Sequence, residues 1–153
     1  MTTLNRLKPD KGLSCLANVQ DQQELTSDIA ILVVEDSEAI RLLISAVLSN
    51  YGYRVETADC GESALQYLQK GMYQLILMDI QMPGINGFEA ADRIKGMSAP
   101  VCDIPIIAMS ANVASSEQEK ACSYGMNGYI AKPFKLDYLI ENIEHVLLPT
   151  QSD

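Results

Sequence analysis

The sequence predicts an α/β fold, a doubly wound five-stranded parallel sheet with helices on both faces. Short apolar runs alternate along the chain with segments whose apolar residues recur at helical spacing. Crossovers between parallel strands are right-handed and place the helices on the two faces of the sheet. The length of 153 residues supports one domain with a real core. We assign the domain to residues 29–148, a polar extension or linker to 1–28, and a tail to 149–153.

Five apolar runs are the predicted strands. The first, residues 29–34 (IAILVV), is rich in β-branched residues and does not alternate with polar ones, which is typical of a strand buried on both faces. Residues 53–57 alternate apolar and polar positions and indicate an edge strand. The other predicted strands are 75–78, 104–109 and 128–131.

Apolar residues at helical spacing predict five helices between and after the strands. The first stops at Gly52 and the last at Pro149, and both residues are common helix stops. The fourth helix has little apolar stripe, so we expect it to be weakly buried and mobile. The apolar positions of the five helices fall within 40–51, 64–68, 88–94, 115–123 and 136–147.

Composition limits the partners and the cellular compartment. The net charge is -9, and the 11 Lys and Arg residues are scattered, which argues against direct binding to nucleic acid or an anionic membrane. There is no apolar run of membrane-spanning length and no signal-peptide pattern, so we expect a cytoplasmic protein. The four cysteines form no C-x-x-C pair and predict free thiols in a reducing compartment.

Polar residues follow four of the predicted strands at the point where each strand ends. Glu35 and Asp36 come after the first strand, Asp79 after the third, Ser110 after the fourth and Lys132 after the fifth. Ligands bind outside the carboxyl ends of the strands in such sheets. We therefore expect three carboxylates, a hydroxyl and an ammonium to converge on one rim.

The converging carboxylates predict a metal site. Carboxylates held close together repel and raise one another's pKa, so a divalent cation is the simplest way to neutralise them. Oxygen ligands favour Mg²⁺, which also takes a phosphate oxygen of a substrate. A phosphoryl group is therefore implied, with Asp79 as a carboxylate nucleophile and with Lys132 and Ser110 as phosphate contacts.

Four ordered motifs, VVEDS, LILMDIQMPGINGFEA, IIAMSAN and GYIAKPF, resemble the response-regulator receiver domain of two-component signalling. The resemblance covers roughly residues 29–148. The segments MDIQMPGINGFEA and AKPF are together most similar to those of the receivers of hybrid histidine kinases. The resemblance to the receiver domain implies the strand order 2-1-3-4-5.

By this resemblance, Asp79 accepts a phosphoryl group from the phosphohistidine of a histidine kinase or a histidine phosphotransfer protein. Glu35 and Asp36 hold Mg²⁺ directly or through water, together with Asp79, and the backbone carbonyl of Gln81 adds a ligand. Ser110 and Lys132 contact the bound phosphoryl group, and the Lys132–Pro133 bond is cis.

The resemblance also implies a switch. Tyr129 turns inward when the Ser110 hydroxyl moves toward the phosphate, which remodels the face formed by the fourth helix, fifth strand and fifth helix, where a downstream protein binds. A purely structural Tyr129 remains an alternative. The side chains of Gln81 and Asn112 flank the path of attacking water and tune hydrolysis. Homodimerisation on phosphorylation is possible.

Three other functions are compared with the same residues. An aspartate-nucleophile phosphatase uses a similar set, but its nucleophile follows the first strand in a D-x-D arrangement, where this chain has Glu35, Asp36 and Ser37. A flavodoxin-type cofactor site fits poorly, because two acids there would repel a phosphate. A docking module that works without phosphorylation is a third alternative. A receiver promotes its own phosphorylation and dephosphorylation without being a turnover enzyme, whereas a hybrid parent would be a histidine kinase.

Overall fold

The computed structural model describes residues 28–112 and 114–147. Within this part, five strands alternate with five α-helices, and a short 3₁₀ helix, Val101–Asp103, precedes the fourth strand. The elements are β1 Ala30–Val34, α1 Glu38–Asn50, β2 Arg54–Ala58, α2 Gly61–Lys70, β3 Leu75–Asp79, α3 Gly87–Lys95, β4 Ile106–Ser110, α4 Ser115–Ser123, β5 Gly128–Ala131 and α5 Leu136–Leu147. Of the extension predicted over 1–28, Asp28 alone belongs to the described part, and the tail predicted over 149–153 lies outside it.

The strands form one parallel sheet in the order β2-β1-β3-β4-β5. Every residue of β1, β3 and β4 is buried, whereas the edge strand β2 alternates exposed and partly buried positions before its buried last residue. Central strands covered on both faces read as continuous apolar runs, and edge strands alternate. The predicted fold class and strand order are therefore confirmed.

Each face of the sheet has its own core. Alternate residues of a strand point to opposite faces, so Ile31 and Leu32 of β1 belong to different cores. The buried residues of α1 and α5 pack on the face that contains Ile31. Those of α2, α3 and α4 pack on the face that contains Leu32. The helices thus divide two against three between the faces of the sheet.

Several strand bounds differ from the predictions by one or two residues. The strand predicted at 104–109 is Ile106–Ser110, because Pro105 has no N–H for the ladder and the 3₁₀ helix ends just before Ile104. The strand predicted at 53–57 starts at Arg54, since the Tyr53 N–H bonds back to Leu48 at the end of α1. Asp79 and Ser110 are the last residues of their strands, not the first residues after them.

Side-chain caps determine where the first three helices begin. The Ser37 hydroxyl accepts the Ile40 N–H at 3.4 Å at the start of α1. The Cys60 sulfur accepts the Ser63 N–H at the start of α2. Asn86 and Glu89 form a reciprocal capping box at the start of α3. These caps start α1 directly after the two acids that follow β1, and they start α3 after the loop that leaves Asp79.

The predictions about membrane-spanning segments and cysteines can be compared with the described residues. In residues 28–112 and 114–147, no helix has both the length and the apolar character needed to cross a bilayer. Cys60, Cys102 and Cys122 are free thiols, as predicted, and Cys15 lies outside the described residues.

Gly87 is required by the close packing of α3 on β3. Its N–H donates to the Ile80 carbonyl at 2.8 Å, and a Cβ at this position would lie 2.6 Å from the Asp79 carbonyl oxygen and 2.7 Å from Ile80 Cα. Both neighbours are backbone atoms that cannot move aside. We expect Gly87→Ala to lower the free energy of unfolding by ~1–3 kcal/mol, the usual cost of overpacking, as measured by urea denaturation.

Gly96 offers the matched control for this substitution. It ends the same helix, and a Cβ there would meet nothing closer than 3.6 Å. We expect Gly96→Ala to change the unfolding free energy by less than ~0.5 kcal/mol. Equal midpoints for the two variants would contradict the packing argument.

Candidate functional site

The carboxylates of Glu35, Asp36 and Asp79 lie together at the carboxyl rim of the sheet. Strand β1 runs parallel to β3 with Val34 opposite Met78, so the residues that follow these two positions emerge side by side. One carboxylate oxygen from each of the three acids lies within 4.8 Å of the others. The predicted convergence of the acids is confirmed.

Lys132 carries an ammonium group into this cluster. Its Nζ lies 2.8 Å from Glu35 Oε1 and 3.3 Å from Asp79 Oδ1. The backbone N–H of Lys132 donates to the Ser110 carbonyl at 2.7 Å, which fixes the residue at the end of β5. The Lys132–Pro133 bond is cis, as the resemblance implied. The side chain therefore reaches across β4 to the ends of β3 and β1.

Glu35 is held in place by several further contacts. Its Oε2 accepts the Ser37 N–H at 3.2 Å, and its own N–H donates to the Ala58 carbonyl at 3.0 Å. The Arg41 guanidinium donates to the Glu35 carbonyl at 2.8 Å. Glu35 is buried whereas Asp36 is exposed. Glu35 is thus a fixed, buried acid inside the cluster, and Asp36 is an exposed residue whose carboxylate belongs to the same cluster.

The cluster carries more negative than positive charge. Burial, and next the negative charge of Glu35, raise the pKa of the Asp79 carboxyl to about 7, although Lys132 acts in the opposite direction. Burial lowers the pKa of the Lys132 ammonium, but the hydrogen bond to Glu35 and the charge of Asp79 outweigh it, so this pKa is raised. A single ammonium does not neutralise three carboxylates, and the site favours a cation.

The donor set fits a hard divalent cation. The three groups offer only carboxylate oxygens, the ligands that Mg²⁺ and Ca²⁺ prefer. Opposite ligand oxygens around Mg²⁺ lie about 4.2 Å apart, at about 2.1 Å from the ion. The 4.8 Å spread is slightly wider than this. Glu35 is already engaged by Lys132 and Ser37, so it suits contact through water better than direct coordination.

Ser110 and Tyr129 lie beside the cluster and meet at one loop residue. Ser110 is fully buried at the end of β4, directly after Met109, which pairs with Asp79 across the sheet. Its Oγ accepts the Asn112 N–H at 3.0 Å. Tyr129, on β5, is partly buried and donates its hydroxyl to the Asn112 carbonyl. The predicted hydroxyl and aromatic are therefore joined through Asn112.

Gln81 and Asn112 lie on the loops that follow β3 and β4. The Gln81 N–H donates to Asp79 Oδ1 at 3.3 Å, and the side chains of Gln81 and Asn112 are both exposed. Each residue thus contacts a group of the site through its backbone. Their predicted roles, as a metal ligand through the Gln81 carbonyl and in tuning hydrolysis, stay predictions.

Sequence reasoning missed two residues that support the site. Arg41 lies within the first predicted helix, and its bond to the Glu35 carbonyl has no sequence signal beyond a basic residue in the first turn after the acids. The Asn86–Gly87 pair is a typical turn signal, whereas Gly87 is the first residue of α3 and packs closely against the Asp79 backbone. A glycine at the start of a helix that follows an acidic strand end is the available signal.

The chain is similar to curated signalling proteins over most of its length. It is 33% identical over 142 residues to Probable histidine kinase 4 of Oryza sativa, which covers 80% of this chain and 14% of that protein. It is 34% identical over 113 residues to the transcriptional regulatory protein DltR of Streptococcus agalactiae, covering 74% of this chain and 49% of that protein. The chain therefore spans a minor part of these relatives.

Solved structures of similar proteins have the same fold. The chemotaxis protein CheY4 of Vibrio cholerae aligns with a TM-score of 0.74 and 31% identity, covering 78% of this chain and 98% of that one. The response regulator TrrA of Thermotoga maritima, solved in complex with Mg²⁺-BeF, aligns with a TM-score of 0.69 and 34% identity, covering 78% and 99%. The family model described as the response regulator receiver domain matches residues 31–144. The chain belongs to the response regulator receiver domain family of two-component signalling.

Proposed function

We propose that Asp79 is the phosphoacceptor of this receiver domain. The observation that supports this most strongly is a buried carboxylate held 3.3 Å from an ammonium, beside two further acids, at the ligand-binding rim of the sheet. An Asp79 oxygen attacks the phosphorus of a phosphohistidine, the P–N bond breaks, and the imidazole nitrogen leaves with the electron pair. The product is an aspartyl phosphate, and the donor is a histidine kinase or a histidine phosphotransfer protein.

The acids of the cluster would hold Mg²⁺ during this transfer. Asp36 and Asp79 suit direct coordination, Glu35 suits contact through water, and the Gln81 carbonyl supplies a further oxygen. Bound Mg²⁺ would neutralise negative charge on the carboxylates and on the phosphoryl oxygens. Lys132 keeps its ammonium beside Asp79 and pairs with a phosphoryl oxygen once the Asp79 charge has been consumed.

The phosphoryl group then shifts a conformational equilibrium. The Ser110 hydroxyl donates to a phosphoryl oxygen, and the movement reaches Tyr129 because both residues bond to Asn112. Added charge and hydrogen bonds favour one of two accessible loop arrangements. The face formed by α4, β5 and α5 changes, and a downstream protein or a second copy of the chain binds there. Exposed Gln81 and Asn112 side chains set how readily water reaches the phosphoryl group.

The outer face of α1 suits the phosphodonor. Ala39, Leu42, Leu43 and Ala46 form an exposed apolar stripe at helical spacing, and Leu42 and Leu43 are 63% and 52% exposed. The stripe begins one turn after Asp36, so a partner helix seated on it would bring a histidine to the rim. Exposed apolar patches of this kind mark protein interaction sites.

The rival functions receive less support from the same contacts. The candidate nucleophile is at the end of β3, whereas the phosphatase arrangement requires one after β1, where Glu35 is held by Lys132 and Ser37. A module that works without phosphorylation does not require a buried Asp79 whose pKa is raised by burial and by the charge of Glu35. We further propose that residues 29–148 are the receiver unit, with 1–28 as a polar extension or linker and 149–153 as a tail, and that it acts in the cytoplasm.

Phosphorylation at Asp79 is tested by intact mass. With Mg²⁺ and a small phosphodonor, we expect the protein to gain one phosphoryl group, and Asp79→Asn to gain none because the nucleophile is gone. Asp92→Asn, which removes an exposed carboxylate of α3, is the matched control and should be modified as the wild type is. Modification that persists in Asp79→Asn would refute the assignment.

The raised pKa of Asp79 predicts a pH-dependent stability of the metal-free protein. With a pKa of about 7, the folded state keeps a proton that the unfolded chain releases near pH 4, so stability falls as pH rises from about 4 to 7. Asp79→Asn removes this loss. We expect the variant to exceed the wild type by ~1–3 kcal/mol at pH 8 and by less at pH 5, measured by urea unfolding.

Two controls frame this measurement. Asp92→Asn should leave the pH dependence of stability as in the wild type, and added Mg²⁺ should narrow the gap at pH 8 because it stabilises only the protein that has the Asp79 carboxylate. A gap in unfolding free energy between Asp79→Asn and wild type that is equal at both pH values would contradict the raised pKa of Asp79.

The role of the α1 surface is tested by comparing phosphoryl transfer from a protein donor with transfer from a small phosphodonor. We expect Leu42→Lys with Leu43→Lys to slow transfer from a histidine phosphotransfer protein by ~10-fold or more, since the buried core of an interface is depleted of charge and an unpaired ammonium there is costly. Uptake from a small phosphodonor should stay unchanged. Met72→Lys is the control, because Met72 is 67% exposed and precedes β3, at the opposite rim. Equal slowing by Met72→Lys would remove α1 as the docking surface.

A further inference from the structure

Helix α4 begins without a side-chain cap of its own. Its N-cap residue is Ala114, whose methyl group cannot accept a hydrogen bond, whereas Ser37, Cys60 and Asn86 cap the first three helices. In the described part of the chain, Ala121 is the single buried residue of α4. The start of this helix therefore depends on contacts from outside it.

The Asn112 carboxamide supplies those contacts from two residues before the cap. Its Oδ1 accepts the Ala114 N–H at 2.9 Å, and its Nδ2 donates to Glu117 Oε1 at 3.4 Å. Asn side chains commonly bond the backbone two residues on in this way. One side chain thus holds both the residue that precedes α4 and the third residue of its first turn.

The backbone of the same residue bonds to both groups of the proposed switch. The Asn112 N–H donates to Ser110 Oγ at 3.0 Å, and the Asn112 carbonyl accepts the Tyr129 hydroxyl. Ser110 is fully buried beside Asp79, whereas Asn112 is exposed on the loop. A displacement of the Ser110 hydroxyl toward Asp79 either draws the Asn112 peptide with it or breaks this hydrogen bond.

We propose that Asn112 is a positioning residue that transmits movement of the Ser110 hydroxyl to the first turn of α4. Its backbone senses Ser110 and Tyr129, and its carboxamide holds Ala114 and Glu117, so the two ends cannot move independently. This inference rests on the proposed phosphoacceptor function of Asp79. It adds a specific path by which phosphorylation changes the order of α4, and this path differs from a role in hydrolysis.

Hydrogen–deuterium exchange over residues 115–121 measures this transmission. Beryllofluoride with Mg²⁺ serves as the phosphoryl mimic, and its occupancy is read separately by fluorine NMR. We expect the mimic to change the exchange rates of α4 in the wild type. Asn112→Ala should still bind the mimic. The change in α4 exchange rates on binding should be roughly fivefold smaller in this variant, which is comparable to the effect of one lost helix cap on local opening. Exchange of α4 should be fast in both states of this variant.

Two further variants separate transmission from simple capping. Asn112→Asp combined with Glu117→Gln keeps the acceptor for the Ala114 N–H and reverses the polarity of the second bond, so it should restore the response of α4. Asn86→Ala removes the N-cap side chain of α3 and should leave the α4 response as in the wild type.

The outcomes distinguish this inference from the proposed function. A wild-type α4 response in Asn112→Ala, or an equal loss in Asn86→Ala, would overturn the role of Asn112 while leaving Asp79 as the acceptor. Failure of the wild type to bind the mimic or to take up a phosphoryl group would overturn both. Restored response in the double variant supports transmission through the carboxamide.

Discussion

The contact of the Lys132 ammonium with Glu35 and Asp79 is the interaction on which the site depends. It links the end of β5 to the ends of β1 and β3, across the width of β4. Two buried carboxylates beside each other and without a counter-ion would be costly to fold. One ammonium lowers that cost but leaves net negative charge, and this remaining charge makes the rim attractive to a cation.

The parallel sheet makes this arrangement possible because it is rigid and buried. Strands β1, β3 and β4 are buried along their whole length, so their ends are fixed relative to one another. The fixed strand ends place the charged side chains within hydrogen-bonding distance of one another, so little conformational entropy is lost when they come together. The loops after β3 and β4 carry Gln81 and Asn112, whose side chains are exposed. The molecule therefore combines an acidic cluster fixed by the sheet with solvent-exposed side chains on the adjacent loops.

Much of the fold and of the acidic rim could be predicted from the sequence, because hydrophobic periodicity and the polar residues at strand ends are local signals. The buried run 29–34, the alternating edge strand and the acids after β1 give the fold class and the rim directly. Strand ends were less accurate, since Pro105 and the 3₁₀ helix before β4 shift its start. The four hydrogen bonds of Asn112 could not be predicted, because contacts with Tyr129 or Glu117 leave no periodic pattern.

The close approach of α3 to β3 was also beyond sequence reasoning. An Asn-Gly pair is a strong turn signal, and only the distance from Gly87 to the Asp79 backbone reveals that the glycine is there for space. The same holds for Arg41, whose guanidinium reaches the Glu35 carbonyl from α1. Such supporting residues are specified by three-dimensional packing.

The apolar stripe on α1 has a consequence for how such domains diversify. Leu42 and Leu43 point to solvent, whereas Ile44 and Leu48 of the same helix are fully buried in the core. Changes at the outward positions therefore alter the surface of α1 and leave the packing of the core as it is. Changes at the inward positions would open cavities in the core or overpack it, so the outer face is the part of this helix that can differ between related domains.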